Sequence, residues 1–128
     1  MLKSLRNRWE NETELRSLSP DDPRYIAHYE GGVAQRYGSY HQGTVWPFLM
    51  AAFVEAWLRV HGNTAETRTQ AAHHYFFPLA DTMNDYSLNH IAEIADAAPP
   101  HSLRGCPFQA WSLGEFVRLK YDILKLTT

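Results

Sequence analysis

An all-α chain of about four helices separated by long loops is the fold class this sequence predicts. Three stretches predict it. From Val45 to Val60 the only charges are Glu55 and Arg59; Ala72, Tyr75, Phe76, Leu79 and Met83 recur at helical spacing; and Leu113, Phe116, Val117, the stem of Lys120 and Leu124 form a third stripe. The 128 residues are read as a single domain, 1–128, long enough to enclose a core.

Taken in order, Leu2 to Glu10 reads as a short amphipathic helix with Leu2, Leu5 and Trp9 on one face. It is otherwise polar and does not stand alone. Leu15-Arg16-Ser17-Leu18-Ser19-Pro20-Asp21-Asp22-Pro23-Arg24-Tyr25 is a turn-rich segment fixed by its two prolines. From there to Tyr40 runs a loop holding Tyr25, Tyr29, Tyr37, Gly31, Gly32 and Gly38. Roughly twenty-five residues without periodicity is long for a compact domain, and its aromatics and prolines favour a functional loop over a disordered one.

Ser39-Tyr40-His41-Gln42-Gly43-Thr44-Val45-Trp46-Pro47 then leads into the apolar run. Thr44 is suited to cap a helix start, and Pro47 is tolerated in a first turn. Glu55 and Arg59, four apart, share a face. A helix apolar on nearly every side is expected to be buried on nearly every side. A polar and aromatic turn with Tyr40, His41, Gln42 and Trp46 therefore sits at the mouth of a core helix, where a ligand is well placed. The same residues also fit a purely structural role, His41 and Gln42 satisfying backbone groups and Trp46 filling core.

His61-Gly62 supplies a stop, and Asn63 opens the next helix with Glu66 in capping-box position. Pro78 is expected to kink or break that helix. His73 and His74 are adjacent and point to different sides, and nothing has zinc-site spacing, so no metal or organic cofactor is expected. A second irregular stretch, Tyr86 to Phe108, leads into a last helix from Gln109 to about Leu124.

The formal net charge of −2, without Lys/Arg clusters, argues against nucleic acid or an anionic membrane surface as partner. The longest apolar run is too short to span a bilayer, and no signal peptide opens the chain. A single cysteine, Cys106, forms no internal disulfide, so the expected location is cytoplasmic. The four Trp, seven Tyr and six Phe serve a core first, and exposed ones can also stack on sugar rings.

Several segments come in a recognisable order: Leu15-Arg16-Ser17-Leu18-Ser19-Pro20-Asp21-Asp22-Pro23, then Tyr40-His41-Gln42-Gly43-Thr44-Val45-Trp46-Pro47, then Glu93-Ile94, then Pro100-His101, Arg104-Gly105-Cys106-Pro107 and Gln109-Ala110-Trp111-Ser112. Together, from about Leu15 to Leu119, they resemble the C-terminal end of the glycogen-debranching amylo-α-1,6-glucosidase domain of bacterial and archaeal type. The resemblance implies the C-terminal portion of an (α/α)6 barrel, with inner-helix N-terminal loops gathered into one funnel. It further implies inverting hydrolysis of α-1,6-glucosidic linkages in glycogen and other α-glucans, by two carboxyl groups roughly 6.5–9.5 Å apart. Glu93 matches the family's base, which deprotonates the attacking water. His41, Gln42, Trp46, Gln109 and Trp111 match sugar-contact positions, with His41 and Gln42 suited to hydroxyls and the two tryptophans to an apolar wall. Arg16 is expected to brace its loop by pairing with a carboxylate.

The chain departs from the family pattern at three places. It has Ala95-Asp96-Ala97 where Phe-Asp-Gly is usual, Glu14 before Leu-Arg-Ser-Leu where a Gly is usual, and Tyr37 where an Asp is usual. The family's general acid lies on an upstream part of the barrel, and Asp21, Asp22 and Asp96 do not match it. Three readings follow. The first is a hydrolase segment that carries the base but not the acid, inactive until a complementary barrel chain completes it. The second is a non-catalytic helical module, a homo-oligomer with at most glucan binding. The third is a structural remnant without ligand. On the residues alone, Glu93 also fits a loop carboxylate paired with Arg104 or capping a helix, Trp111 a core aromatic, and Asp96 a solvated loop residue. His73, His74, His90 and Cys106 read as structural.

Overall fold

The computed structural model describes residues 15–86 and 88–127, and the helix expected over Leu2 to Glu10 lies outside them. In chain order the elements are α1 (Val33–Ser39), α2 (Leu49–His61), α3 (Ala65–Ala71), a π-helical turn (Ala72–Phe76), α4 (Phe77–Tyr86), β1 (Ile94–Ala95), β2 (Leu103–Arg104) and α5 (Ala110–Arg118), which runs on into a second π-helical turn (Leu119–Ile123). Residues 65–86 form one continuous rod, so the chain is mostly helical, as its periodicity predicts. Two elements correct the reading of the long loops. α1 occupies part of the stretch between Tyr25 and Tyr40, opened by Gly32, whose N–H donates to the Gln35 side chain at 2.6 Å. The β1–β2 pair, Ile94 opposite Arg104 and Ala95 opposite Leu103, lies within the stretch from Tyr86 to Phe108.

Helix boundaries follow local chemistry, with small shifts from expectation. α2 starts at Leu49, after a turn in which the Leu49 and Met50 N–H groups donate to the Trp46 and Pro47 carbonyls at 3.2 and 3.1 Å. Thr44 does not cap it. Its hydroxyl donates instead to the Tyr40 carbonyl at 2.6 Å, closing the turn before the helix. Gly62 ends α2 in the left-handed region at φ 97°, which a residue without Cβ adopts freely. The cap of α3 is Thr64, whose hydroxyl accepts from the Thr67 N–H at 3.1 Å, one residue beyond the expected Asn63. Pro78 does not break the rod. The π-helical turn just before it, where the Phe77 N–H reaches the Ala72 carbonyl, shifts the hydrogen-bond register and accommodates a residue without an N–H.

The main core gathers Met50, Ala51, Val54 and Leu58 of α2, Ala71, Ala72, Phe76 and Leu79 of the rod, and Leu119 and Leu124 after α5. Phe76 and Phe116 stack with centroids 4.7 Å apart. α2 is buried on one face only; Phe53 and Val60 are exposed, Val60 by 81%. The expectation of burial on nearly every side thus fails, because the rod and α5 both pack on the same side of α2. Val117, assigned to the α5 stripe, is also exposed, and Leu119 takes its place in the core. Glu55 accepts from Arg59 at 2.8 Å, one helical turn on, and from Arg118 of α5 at 2.9 Å. Leu58 is 2% exposed at the centre of this packing. Leu58→Ala is expected to cost about 2–5 kcal/mol, read as a lowered midpoint in urea unfolding. No helix among the described residues is long and apolar enough to cross a membrane.

A smaller cluster of Val45, Ala95 and Ala97, with Tyr25 and Leu103 against it, positions the site. Arg16 bridges antiparallel to Val45, and Val45 to Ala95, whose N–H and carbonyl exchange 3.0 Å bonds with those of Val45. These bridges lay the segment at 15–17, the turn before α2 and the β1–β2 pair side by side. Arg16 donates to the Ala97 carbonyl at 3.4 Å, which ties that first segment to the hairpin.

Candidate functional site

Two short stretches far apart in sequence meet at Glu93. The residue precedes β1, where its N–H donates to the Cys106 carbonyl at 2.9 Å and its carboxylate accepts from the Cys106 N–H at 2.9 Å. Gly105, at φ 68°, makes that turn possible, for a Cβ there would lie 2.5 Å from the Glu93 carboxylate oxygen. The other carboxylate oxygen accepts from the hydroxyl of Tyr40, which lies in the turn before α2. Burial first, and then the hydrogen bond to Glu93 and its charge, push the Tyr40 hydroxyl up to about 12. It therefore stays protonated, and a donor, through the neutral range.

Because the folded value lies above the ordinary tyrosine value near 10, the contribution of this hydroxyl is fully present below pH ~10 and is lost as pH rises through about 12. The stability difference between the chain and Tyr40→Phe, measured from pH 8 upward, is expected to shrink across that window. A difference that stays constant through it would contradict the bond.

Tyr40 is one wall of an open groove of about 810 Å³, within the size range of small-ligand sites. Its lining also includes His41, Trp46, Phe48, Trp111 and Glu115. The rings form a connected series: Tyr29 to Tyr40 at 5.8 Å, Tyr40 to Trp46 at 4.8 Å, Trp46 to Phe48 at 6.0 Å and Phe48 to Trp111 at 5.9 Å. His41 lies flat on Trp46, with centroids 5.1 Å apart and planes 8° apart. Trp46 is buried, and its indole N–H donates to Thr44 at 3.1 Å. One face of Trp46 is thus covered by His41, and the exposed ring surface comes from His41 and from Trp111, which is 52% exposed rather than core.

The structure therefore brings together His41, Trp46 and Trp111 in one groove, with Glu93 joined to it through Tyr40. Gln42 and Gln109 do not line it. The Gln42 side-chain oxygen is buried without a hydrogen-bond partner among the described residues, while Gln109 stands at the N-cap of α5 and donates its N–H to the Ile91 carbonyl at 3.1 Å. Glu115 was legible as a groove residue, since it lies four positions after Trp111 and so shares its face of α5. Its carboxylate is forked by Arg118 at 2.9–3.2 Å.

Two sequence readings of acidic residues are corrected. Arg104 does not pair with Glu93; it pairs with Asp96, Nη2 to Oδ2 at 2.8 Å and Nε to Oδ2 at 3.0 Å. Asp96 is not a solvated loop residue but is 1% exposed, and it also accepts from the Tyr29 N–H at 2.8 Å.

The sequence model of a family described as Amylo-alpha-1,6-glucosidase matches residues 1–118. The chain belongs to the amylo-alpha-1,6-glucosidase family. Membership assigns it to glycogen-debranching-like glycoside hydrolase domains, and the groove and Glu93 both lie within the matched residues. No curated protein and no solved structure matches the chain.

Proposed function

We propose that the chain is the C-terminal, base-bearing portion of an (α/α)6-barrel glucosidase domain that hydrolyses α-1,6-glucosidic linkages of glycogen and related α-glucans with inversion. One observation carries this reading: a carboxylate fixed by a tyrosine hydroxyl and a backbone N–H, beside a groove walled by exposed aromatic and imidazole rings. Glu93 is the general base. Tyr40 and the Cys106 N–H hold its two oxygens in place, so that a water beside it loses its proton as it attacks the anomeric carbon. Trp111 and His41 supply flat surfaces for a pyranose ring, and the forked carboxylate of Glu115 offers acceptors for its hydroxyls. Gln42 and Gln109 do not line the groove and are given no contact with the sugar.

Protonation of the leaving oxygen needs a second carboxyl group. Glu115 is not assigned that role, since its carboxylate is already engaged by the Arg118 fork at 2.9–3.2 Å. The acid is assigned to barrel helices outside these 128 residues, and the one-sided burial of α2 leaves an apolar face for such helices to cover. General acid–base help is worth about 10²–10⁴-fold, so the chain alone is expected to be catalytically silent.

The test is glucose release from isomaltose and from a phosphorylase-limit dextrin, with Glu93→Gln as control. The expected result is no release above the control by the chain alone, and release dependent on Glu93 once the remaining barrel is supplied in the same polypeptide. Release by the completed barrel that survives Glu93→Gln would overturn the assignment of the base.

A further inference from the structure

Asp96 is a buried carboxyl residue, 1% exposed, and the mechanism above makes no use of it. Its carboxylate joins three strands of chain. Oδ1 accepts from the Tyr29 N–H at 2.8 Å, Oδ2 accepts the Arg104 fork at 2.8 and 3.0 Å, and His28 Nδ1 approaches Oδ2 at 3.5 Å. Its own N–H donates to the Ser102 carbonyl at 2.9 Å, and its carbonyl lies 3.3 Å from His101 Nδ1. Arg104 is the residue before Gly105-Cys106, whose backbone meets the Glu93 carboxylate. Tyr29 is in ring contact with Tyr40, whose hydroxyl meets the other Glu93 oxygen. Of the two donors that fix Glu93, Tyr40 is thus in ring contact with a partner of Asp96, and Cys106 lies two residues from another.

We infer that Asp96, through Arg104 and the Tyr29 backbone, is the positioning residue that aims the Glu93 carboxylate. This deepens the reading of Glu93 as the base and rests on it for its functional meaning. A two-strand pair of two residues each has too few ladder bonds to fix its own register. The ion pair sits beside that pair, between residues eight apart in sequence, and ties β1 to β2. Buried charge pairs serve best where they select one arrangement among close alternatives. A hydrophobic pair at these positions would fill the space without holding the Tyr29 N–H, which would lose its acceptor.

The test reads Glu93 itself. The amide proton of Cys106 donates to that carboxylate, so its NMR resonance is expected to move as Glu93 titrates, and the step is identified by its absence in Glu93→Gln. In Asp96→Asn, with folding checked by far-UV circular dichroism and cooperative melting, the Cys106 step is expected to be lost. In Arg104→Lys, which keeps the charge and loses the fork, it is expected to diminish. An undiminished step in folded Asp96→Asn would overturn the proposal. Should Asp96→Asn fail to fold, an undiminished step in Arg104→Lys would overturn it. A glucan titration of the unaltered chain separates the two claims, since failure to bind would strike the glucosidase reading and not the geometry that the Cys106 resonance reports.

Discussion

Asp96→Ala is expected to lower stability by about 3 kcal/mol, near the lower end of the cost of breaking a buried ion pair. The substitution leaves the Tyr29 N–H without its acceptor and the Arg104 guanidinium without its counter-charge. The Tyr29 N–H, at a half-buried residue, loses its acceptor at a cost of about 1–2 kcal/mol. Arg104 is about one-third exposed on its side chain, 34%, so water takes up part of its charge and the loss stays below that of a fully buried pair. For a domain of this size the loss corresponds to a fall in Tm on the order of 10 °C. Thermal melts of Asp96→Ala and of Asp96→Ala with Arg104→Met check it, and the double variant is expected to recover part of the loss because it removes the orphaned charge. A Tm for Asp96→Ala equal to that of the parent would mean that the pair contributes nothing.

The second large effect is expected at Gly43, in the turn between His41-Gln42 and Thr44. Its φ of 142° lies in a region that L side chains rarely adopt, and a Cβ there would stand 2.5 Å from the Ile26 carbonyl oxygen and 2.7 Å from the Tyr25 ring. The first contact is with backbone that is already fixed, since the Ile26 N–H donates to the Gln42 carbonyl at 2.6 Å. Gly43→Ala therefore adds backbone strain of about 1–3 kcal/mol to an overpacking cost of similar size, on the order of 3 kcal/mol or more together. The turn must yield, and with it Tyr40, His41 and the groove wall. Both a lowered Tm and a loss of glucan affinity are expected. A variant that melts like the parent would show that the segment at 25–27 is free to move away.

These two positions mark the limit of what one sequence discloses. The helices were legible because periodicity is local: the apolar run became α2, and Gly62 ended it where a left-handed residue was needed. The geometry of the candidate groove was legible in part. His41, Trp46 and Trp111 do share a groove, and Glu93 does approach it. Gln42 and Gln109 belong to the same stretches but face elsewhere, because position in a motif does not fix side-chain direction in irregular backbone. Asp96 was misread since strands of two residues carry no alternation, and its partners Tyr29 and Arg104 are set by tertiary pairing alone. Gly43 gave no signal beyond being a glycine, as the atom it must avoid belongs to Ile26, seventeen positions earlier. Phe53 and Val60 were expected inside on hydrophobicity alone, and their exposure reflects packing on one side of α2.

The central claim is that the groove between Tyr40-His41 and Trp111 takes a glucosyl unit. The most direct measurement is a titration of the chain with isomaltose and with maltotriose, followed by tryptophan fluorescence, alongside Trp111→Ala and His41→Ala. A saturable change that is lost or strongly weakened in both variants is the predicted result. A flat response to both sugars, or saturable binding that both variants retain in full, would contradict it.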